Sequence, residues 1–84
     1  MYEDRILELI TALAQNASDE YREYMLTLKE TPLTRKEKEY FKLRAEECLK
    51  FFDSNLFNLA FPGKSEYIKE QLRKEFKKWK KNLT

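Results

Sequence analysis

The sequence predicts an all-α protein built as a small bundle of amphipathic helices. The chain has 84 residues with only one Gly and two Pro, a composition that favours long helices over turn-rich β structure. Apolar residues recur every three or four positions through most of the chain, which is the period of a helix with one buried face. Hydrophobic residues make up 42% of the chain, too many for a disordered segment. The length predicts a single domain over residues 1–84.

The first predicted helix covers about residues 3–30. It ends before Pro32, because the residue preceding a proline is pushed out of the helical region. Residues 16–18 include types that cap helices, so a break at this point is an alternative to one long helix. The predicted apolar stripe comprises Ile6, Ile10, Leu13, Ala17, Tyr21, Tyr24 and Leu28.

The second predicted helix covers about residues 34–61. Thr34 followed by Glu37 has the form of a capping box, which starts a helix, and the turn residues Pro62 and Gly63 end it. A break near residues 53–55, where Asp, Ser and Asn follow one another, is again an alternative. The predicted apolar stripe comprises Phe41, Ala45, Cys48, Leu49, Phe52, Leu56 and Leu59.

The third predicted helix covers about residues 65–82, with Ser65 as its cap. Its apolar stripe falls within a narrow arc of the helical wheel. The connections between the three helices are short, and short connections predict antiparallel neighbours in a bundle. The stripe comprises Ile68, Leu72, Phe76, Trp79 and Leu83.

Formal charge rises along the chain, from −4 over residues 1–30 through +1 over residues 31–63 to +5 over residues 64–84. On the helical wheel of the first helix, most of the acidic residues lie opposite the apolar stripe, so we expect them to face solvent. On the third helix, a row of basic residues lies along one flank of the stripe. The acidic residues are Asp4, Glu8, Asp19, Glu23 and Glu30, and the basic ones are Lys69, Arg73, Lys77 and Lys80.

Residues typical of catalysis are scarce. The chain has no His, which removes the commonest general base and the commonest metal ligand. Its one Cys, Cys48, lies on the apolar stripe and is expected to be an inert core thiol. A single Gly cannot supply a glycine-rich phosphate loop. We therefore expect a protein that is not an enzyme, with no catalytic residues, metal or cofactor.

The second helix carries more apolar residues than one stripe needs. Large apolar patches seldom stay exposed, so we predict that part of this surface meets another protein. A helix that contacts two neighbours, or a break near residue 53 that rephases the last turns, would explain the same pattern without an interface. The predicted interface residues are Tyr40, Leu43, Phe51, Phe57 and Phe61, the three phenylalanines being the anchors.

These observations predict a non-enzymatic protein that binds another protein, as a regulator, an inhibitor or an assembly subunit, and that also associates with itself. The alternative is a nucleic-acid-binding regulator that uses the basic row of the third helix to neutralise phosphates. The sequence has neither a signal-peptide pattern nor the roughly 20 apolar residues of a membrane span. We therefore expect a cytoplasmic location.

Overall fold

A computed structural model describes the backbone of residues 2–82 and the side chains of residues 4–76. Over this range the chain consists of helices joined by short connections and contains no strand, so the predicted all-α bundle is confirmed. The elements are α1 (Tyr2–Glu30), α2 (Arg35–Lys50), a 3₁₀ turn (Phe51–Asp53), α3 (Asn55–Ala60) and α4 (Ser65–Asn82).

The first helix is continuous through the residues that suggested a break. Ser18 does not cap a new helix, because its hydroxyl donates a 2.9 Å hydrogen bond to the carbonyl of Ala14 one turn earlier. Thr11 makes the same kind of bond to Leu7 at 2.8 Å. Hydroxyls satisfied in this way can be accommodated inside a helix. The alternative of a break at residues 16–18 is therefore wrong.

The second predicted helix is divided into two, as its alternative anticipated. The predicted capping box starts α2: Thr34 Oγ1 accepts from the Glu37 amide at 3.2 Å, and the Glu37 carboxylate accepts from the Thr34 amide at 3.0 Å. The helix then tightens into the 3₁₀ turn. Ser54 leaves the helical region with ψ of 152°, and its hydroxyl accepts from the Phe57 amide at 3.2 Å. Ser54 is thus the cap of a new short helix, α3.

α2 packs antiparallel against α1. The rings of Tyr24 and Phe41 are 6.0 Å apart, and further along α2 the thiol of Cys48 lies 3.8 Å from the carboxylate of Glu20. Contacts at higher residue numbers on α2 therefore involve lower residue numbers on α1, so the two helices run in opposite directions. The short connection at Pro32 requires this direction.

α4 lies against α1 and runs in the same direction as it. It begins beside the 3₁₀ turn, where Lys69 contacts Asp53, and reaches α1 at Phe76, whose ring meets that of Tyr21 edge to face at 5.8 Å. α4 is consequently antiparallel to α2, as the sequence predicted.

The core is thin and the molecule is long. The Cα radius of gyration is 14.7 Å, against about 12 Å for a compact chain of this length, and the longest dimension is 48 Å. At about 1.5 Å per residue, α1 alone spans most of that length. Because α4 starts only at the 3₁₀ turn, α3 is the neighbour of the first turns of α1. Among the described side chains of residues 4–76, the buried apolar residues are Ile10, Ala17, Tyr21, Ala45, Leu49, Phe52, Phe57 and Leu72.

Candidate protein-binding surface

The phenylalanines predicted as interface anchors form an aromatic cluster inside the protein. Phe57 is only 1% exposed, and its ring meets that of Phe52 edge to face at 5.1 Å and stacks on that of Phe61 at 5.3 Å. Phe51 and Phe61 are half-buried and pack against the core. Phe57 is therefore not an exposed anchor, and the structure corrects that expectation.

The break at Ser54 explains this correction. A single helix through residues 34–61 would keep Leu56 and Leu59 on the buried stripe and turn Phe57 away from it. The extended backbone of Ser54 resets the rotation of the next helix, so Phe57 enters the core while Leu56 and Leu59 turn outward. Their exposed fractions are 42% and 81%. In α3, therefore, the face predicted to be buried is exposed, and the face that carries Phe57 is buried.

The outward-facing leucines of α3 form one wall of an apolar groove against the first turns of α1. We call it the α1/α3 groove; its volume is about 590 Å³. Ile6 and Leu7, which border it from α1, are themselves 52% and 43% exposed. The groove is lined by Ile6, Leu7, Ile10 and Asp4 of α1 and by Leu56, Leu59 and Ala60 of α3.

Local hydrogen bonds fix the α3 wall of the groove. Besides the cap at Ser54, the side-chain amide of Asn58 donates to the carbonyl of Phe52 at 3.2 Å and to that of Ser54 at 2.8 Å. These bonds tie α3 back to the 3₁₀ turn on one side, while Phe57 anchors it in the core. The groove is therefore formed by helices that the fold already holds in place.

The α1/α3 groove lies on the same side of α1 as α4. Asp4, in the groove, and Arg22, which binds α4, are eighteen residues apart, or about five full turns, so both lie on one line along the helix. Leu7 and Met25 are related in the same way. The groove thus continues, towards the beginning of α1, the face on which α4 is seated.

One acidic residue of α1 lies in the groove and a second follows it along the helix. Asp4 lies in its lining, and Glu8 follows one turn later on the same helix; both are exposed. Neither makes an ion pair with any side chain in the described range of residues 4–76. All the predicted solvent-facing acidic residues of the first helix are exposed, as expected.

The remaining two residues of the predicted interface are exposed on α2. Tyr40 is 55% and Leu43 57% exposed, and the Tyr40 ring also packs edge to face on Phe41 at 5.3 Å. Phe41 lies opposite Tyr24, so this surface is roughly 20 Å along α1 from the α1/α3 groove. That Tyr40 and Leu43 contact another protein stays a prediction, on a surface separate from the α1/α3 groove.

The basic row of α4 is not wholly available for binding, because Lys69 is buried and paired. Lys69 is only 8% exposed, and its ammonium lies 2.8 Å from the Asp53 carboxylate and 2.9 Å from that of Glu66. Its hydrogen bonds to these partners raise the pKa of Lys69, that to Asp53 first, and bonds from Lys69 and Ser65 lower the pKa of Asp53. Lys69 therefore serves the fold, which corrects its prediction as a phosphate contact.

Of the other predicted phosphate contacts, Arg73 is exposed, and the side chains of Lys77 and Lys80 lie outside the described residues. A nucleic-acid surface on α4 would have to be built from Arg73 and those lysines without Lys69. Arg73 by itself supplies one positive charge, whereas such binding needs several phosphates to be neutralised together.

Cys48 is half-buried between α1 and α2. Burial, and then the nearby carboxylate of Glu20, raise the pKa of its thiol, so the reactive thiolate is disfavoured. Among the residues whose side chains are described, no group of three or more His, Cys, Asp or Glu could hold a metal ion. No helix within the described part of the chain is long and apolar enough to cross a membrane.

The sequence contains one signal that locates the groove. If the helical wheel is restarted after Ser54, a good cap residue, Leu56, Leu59 and Ala60 share one face and Phe57 takes another. What the sequence does not show is that α4 begins too late along α1 to cover that face.

Comparisons of the chain with models of protein families, with curated proteins and with solved structures find no match. The geometry alone defines a structural class: a small all-α bundle with an open apolar groove at one end. Any statement of function rests on that geometry.

Proposed function

We propose that this protein is a non-catalytic regulator, inhibitor or assembly subunit that works by binding another protein through the α1/α3 groove. The observation that carries the proposal is the exposure of Leu59, at 81%, beside the half-exposed Leu56 and Ile6. Contiguous apolar surface of this kind marks interaction sites in soluble proteins.

The free energy available at the groove supports this function. Complete burial of a leucine or isoleucine side chain stabilises by about 1.5–3 kcal/mol. Covering Leu59 and the exposed halves of Leu56, Ile6 and Leu7 would therefore supply several kcal/mol. The cost of binding is reduced because helices held by the fold need little ordering.

The chemistry of the groove favours binding over catalysis. Its lining is aliphatic apart from Asp4, and the chain has no His that could act as a base beside a nucleophile. A carboxylate beside an apolar surface, with no base or nucleophile next to it in the lining, suits a charged contact with a partner better than it suits proton transfer.

The test compares two surfaces by single substitutions to Glu. Leu59→Glu places a charge in the groove, and Leu43→Glu makes the same change on the α2 surface, the competing predicted interface; both positions are more than half exposed, so the folded chain should accept both. Each tagged variant and the wild type are used for affinity capture from a lysate of the source cells, with and without nuclease, followed by quantitative mass spectrometry.

We expect the wild type and Leu43→Glu to retain the same nuclease-resistant proteins and Leu59→Glu to lose them. Loss with Leu43→Glu alone would move the interface to the α2 surface. An unchanged set of proteins in Leu59→Glu would refute binding through the groove. Recovery that disappears with nuclease would favour the nucleic-acid alternative.

A further inference from the structure

We infer that the occupant of the α1/α3 groove is an amphipathic α-helix of another protein, with Lys or Arg along the flank that meets Asp4 and Glu8. This inference rests on the proposed function and adds the chemistry of the partner. It is drawn from how the molecule binds its own helix α4 on the same face.

The first step is the continuity of the face. The face of α1 that contains Asp4 and Leu7 contains, about five turns further along, Arg22 and Met25. Arg22 binds Glu75 of α4, and Met25 lines a cavity together with Phe76 of α4. A helix lying on α1 and α3 in the groove would therefore occupy the position that α4 leaves empty. α3 has six residues and is about 9 Å long, so the groove has room for about two turns of such a helix.

The second step is the way α4 is held. Its apolar side chains enter the core at Leu72, and its charged flank makes ion pairs: Glu75 binds the guanidinium of Arg22 through two hydrogen bonds of 3.0 and 3.2 Å. The neighbouring helix thus combines an apolar stripe with charges of the sign opposite to those on α1. A helix bound in a groove commonly uses both features.

The third step is the sign of the charge at the groove. Its floor is aliphatic, Asp4 lies in its lining, and Glu8 follows Asp4 one turn later on α1. Neither carboxylate makes an ion pair with any described side chain. The complementary helix carries a basic flank. The negative charge of Asp4 and Glu8 disfavours anionic lipid surfaces and nucleic acids as occupants, since both would meet carboxylates.

A second copy of this chain fits the groove less well. In a symmetric dimer the same patch faces itself, so the acidic border of one copy would approach that of the other. Like charges brought together at an interface oppose association. A partner with the opposite charge meets the same apolar floor without that repulsion.

The experiment uses two synthetic helix-forming peptides of about four turns, acetylated and amidated. Both have leucines at helical spacing; one has Lys at the flanking positions and the other has Glu. Binding to the full-length protein is measured by fluorescence anisotropy at low and at moderate salt. Backbone amide shifts of the ¹⁵N-labelled protein identify where each peptide binds.

We expect the Lys peptide to bind roughly fivefold more tightly than the Glu peptide at low salt, as two partly exposed ion pairs allow, with a smaller difference at higher salt. Amide shifts should be confined to residues 4–13 and 54–61. The double variant Asp4→Asn, Glu8→Gln should lose the preference. The matched control Glu23→Gln, Glu30→Gln removes the same charge from exposed positions away from the groove and should keep it.

Equal affinities for the two peptides, shifts outside the groove or no binding at all would overturn the inference. So would groove amide shifts that depend on the protein's own concentration, since they would make a second copy the occupant. The proposed function is tested separately. If Leu59→Glu loses its captured proteins while neither peptide binds, binding of a protein at the groove is supported and the basic helix as its occupant is rejected. If both results are negative, both proposals fail.

Discussion

The ammonium of Lys69 lies 2.8 Å and 3.0 Å from the two carboxylate oxygens of Asp53. Asp53 ends the 3₁₀ turn, and Lys69 lies one turn into α4, so this pair joins the break in the second helix to the beginning of the next. The hydroxyl of Ser65 donates to the same carboxylate at 2.9 Å. Two predicted features, the break and the basic helix, are therefore linked by one contact.

The Asp53 contact predicts how stability depends on pH. Because the pKa of Asp53 is lowered, its contribution is complete above the ordinary carboxyl pKa of about 3.9 and is lost as the pH falls through the lowered value. Because the pKa of Lys69 is raised, its contribution is complete below the ordinary amine pKa of about 10.4 and is lost as the pH rises through the raised value. Urea unfolding at a series of pH values measures both limbs.

Asp53→Asn should be less stable than the wild type at neutral pH and should lose less stability on acidification. Part of the acid dependence should persist, because hydrogen bonds from Thr34 also lower the pKa of Glu37. Glu37→Gln is therefore the second variant, and the double variant should have the flattest acid limb. Identical acid limbs in Asp53→Asn and the wild type would contradict an important role for the pair.

Phe57 and Leu59 lie two residues apart on α3 and should differ sharply in their effect on stability. Phe57→Ala empties a core position and is expected to lower the free energy of unfolding by about 3–5 kcal/mol, a large part of the about 4–13 kcal/mol typical of this chain length. Leu59→Ala should change it by less than about 0.5 kcal/mol. Urea unfolding followed by circular dichroism measures both. Similar values for the two would mean that α3 is rotated differently.

Ser54 is predicted to decide whether α3 forms. Its hydroxyl is the cap that accepts from the Phe57 amide, so Ser54→Ala should lower the free energy of unfolding by about 0.5–2 kcal/mol. Asn is an equally good cap, so Ser54→Asn is the control and should stay close to the wild type. Amide hydrogen exchange should show lower protection over residues 57–61 in Ser54→Ala only. Equal protection in the two variants would argue against the cap.

Cys48 should react slowly with alkylating reagents. Burial and the Glu20 carboxylate raise the pKa of the thiol, and alkylation requires the thiolate. At pH 8 the folded protein should react more slowly with iodoacetamide than the same protein unfolded in urea, and Glu20→Gln should react somewhat faster than the wild type. A folded-state rate equal to that of the unfolded chain would show that the site does not protect the thiol.

The apolar period and the caps were sufficient to predict the all-α fold. Helix α1 and the capping box at Thr34 and Glu37 depend on interactions within a few residues, which a sequence displays directly. Ser65 is not the cap that the sequence predicted for α4, because it is the first residue inside that helix and its hydroxyl donates to the distant carboxylate of Asp53. The break at Ser54 was visible only as an alternative. A helix that breaks at a cap residue and a helix that continues through it differ little in local free energy, so packing decides between them.

The candidate surface was the part that local pattern predicted poorly. The sequence analysis placed Leu56 and Leu59 on the core stripe and Phe57 off it. A helical wheel drawn for one continuous helix assigns the residues after a break to the wrong face. Lys69 similarly looked like one member of a basic row. Its partner Asp53 is sixteen residues away, and only the folded chain brings the two together.

The sequence by itself determined that this protein is a helical bundle, that α2 begins at the Thr34 capping box, and which acidic side chains of α1 face water, since all of these follow from period and local capping. Only the tertiary structure decided that Phe57 enters the core and that Leu56 and Leu59 of α3 remain exposed. The physical reason is that α4 starts beside the 3₁₀ turn, held there by Asp53 and Lys69, and so leaves the first turns of α1 and the outer face of α3 without a covering helix.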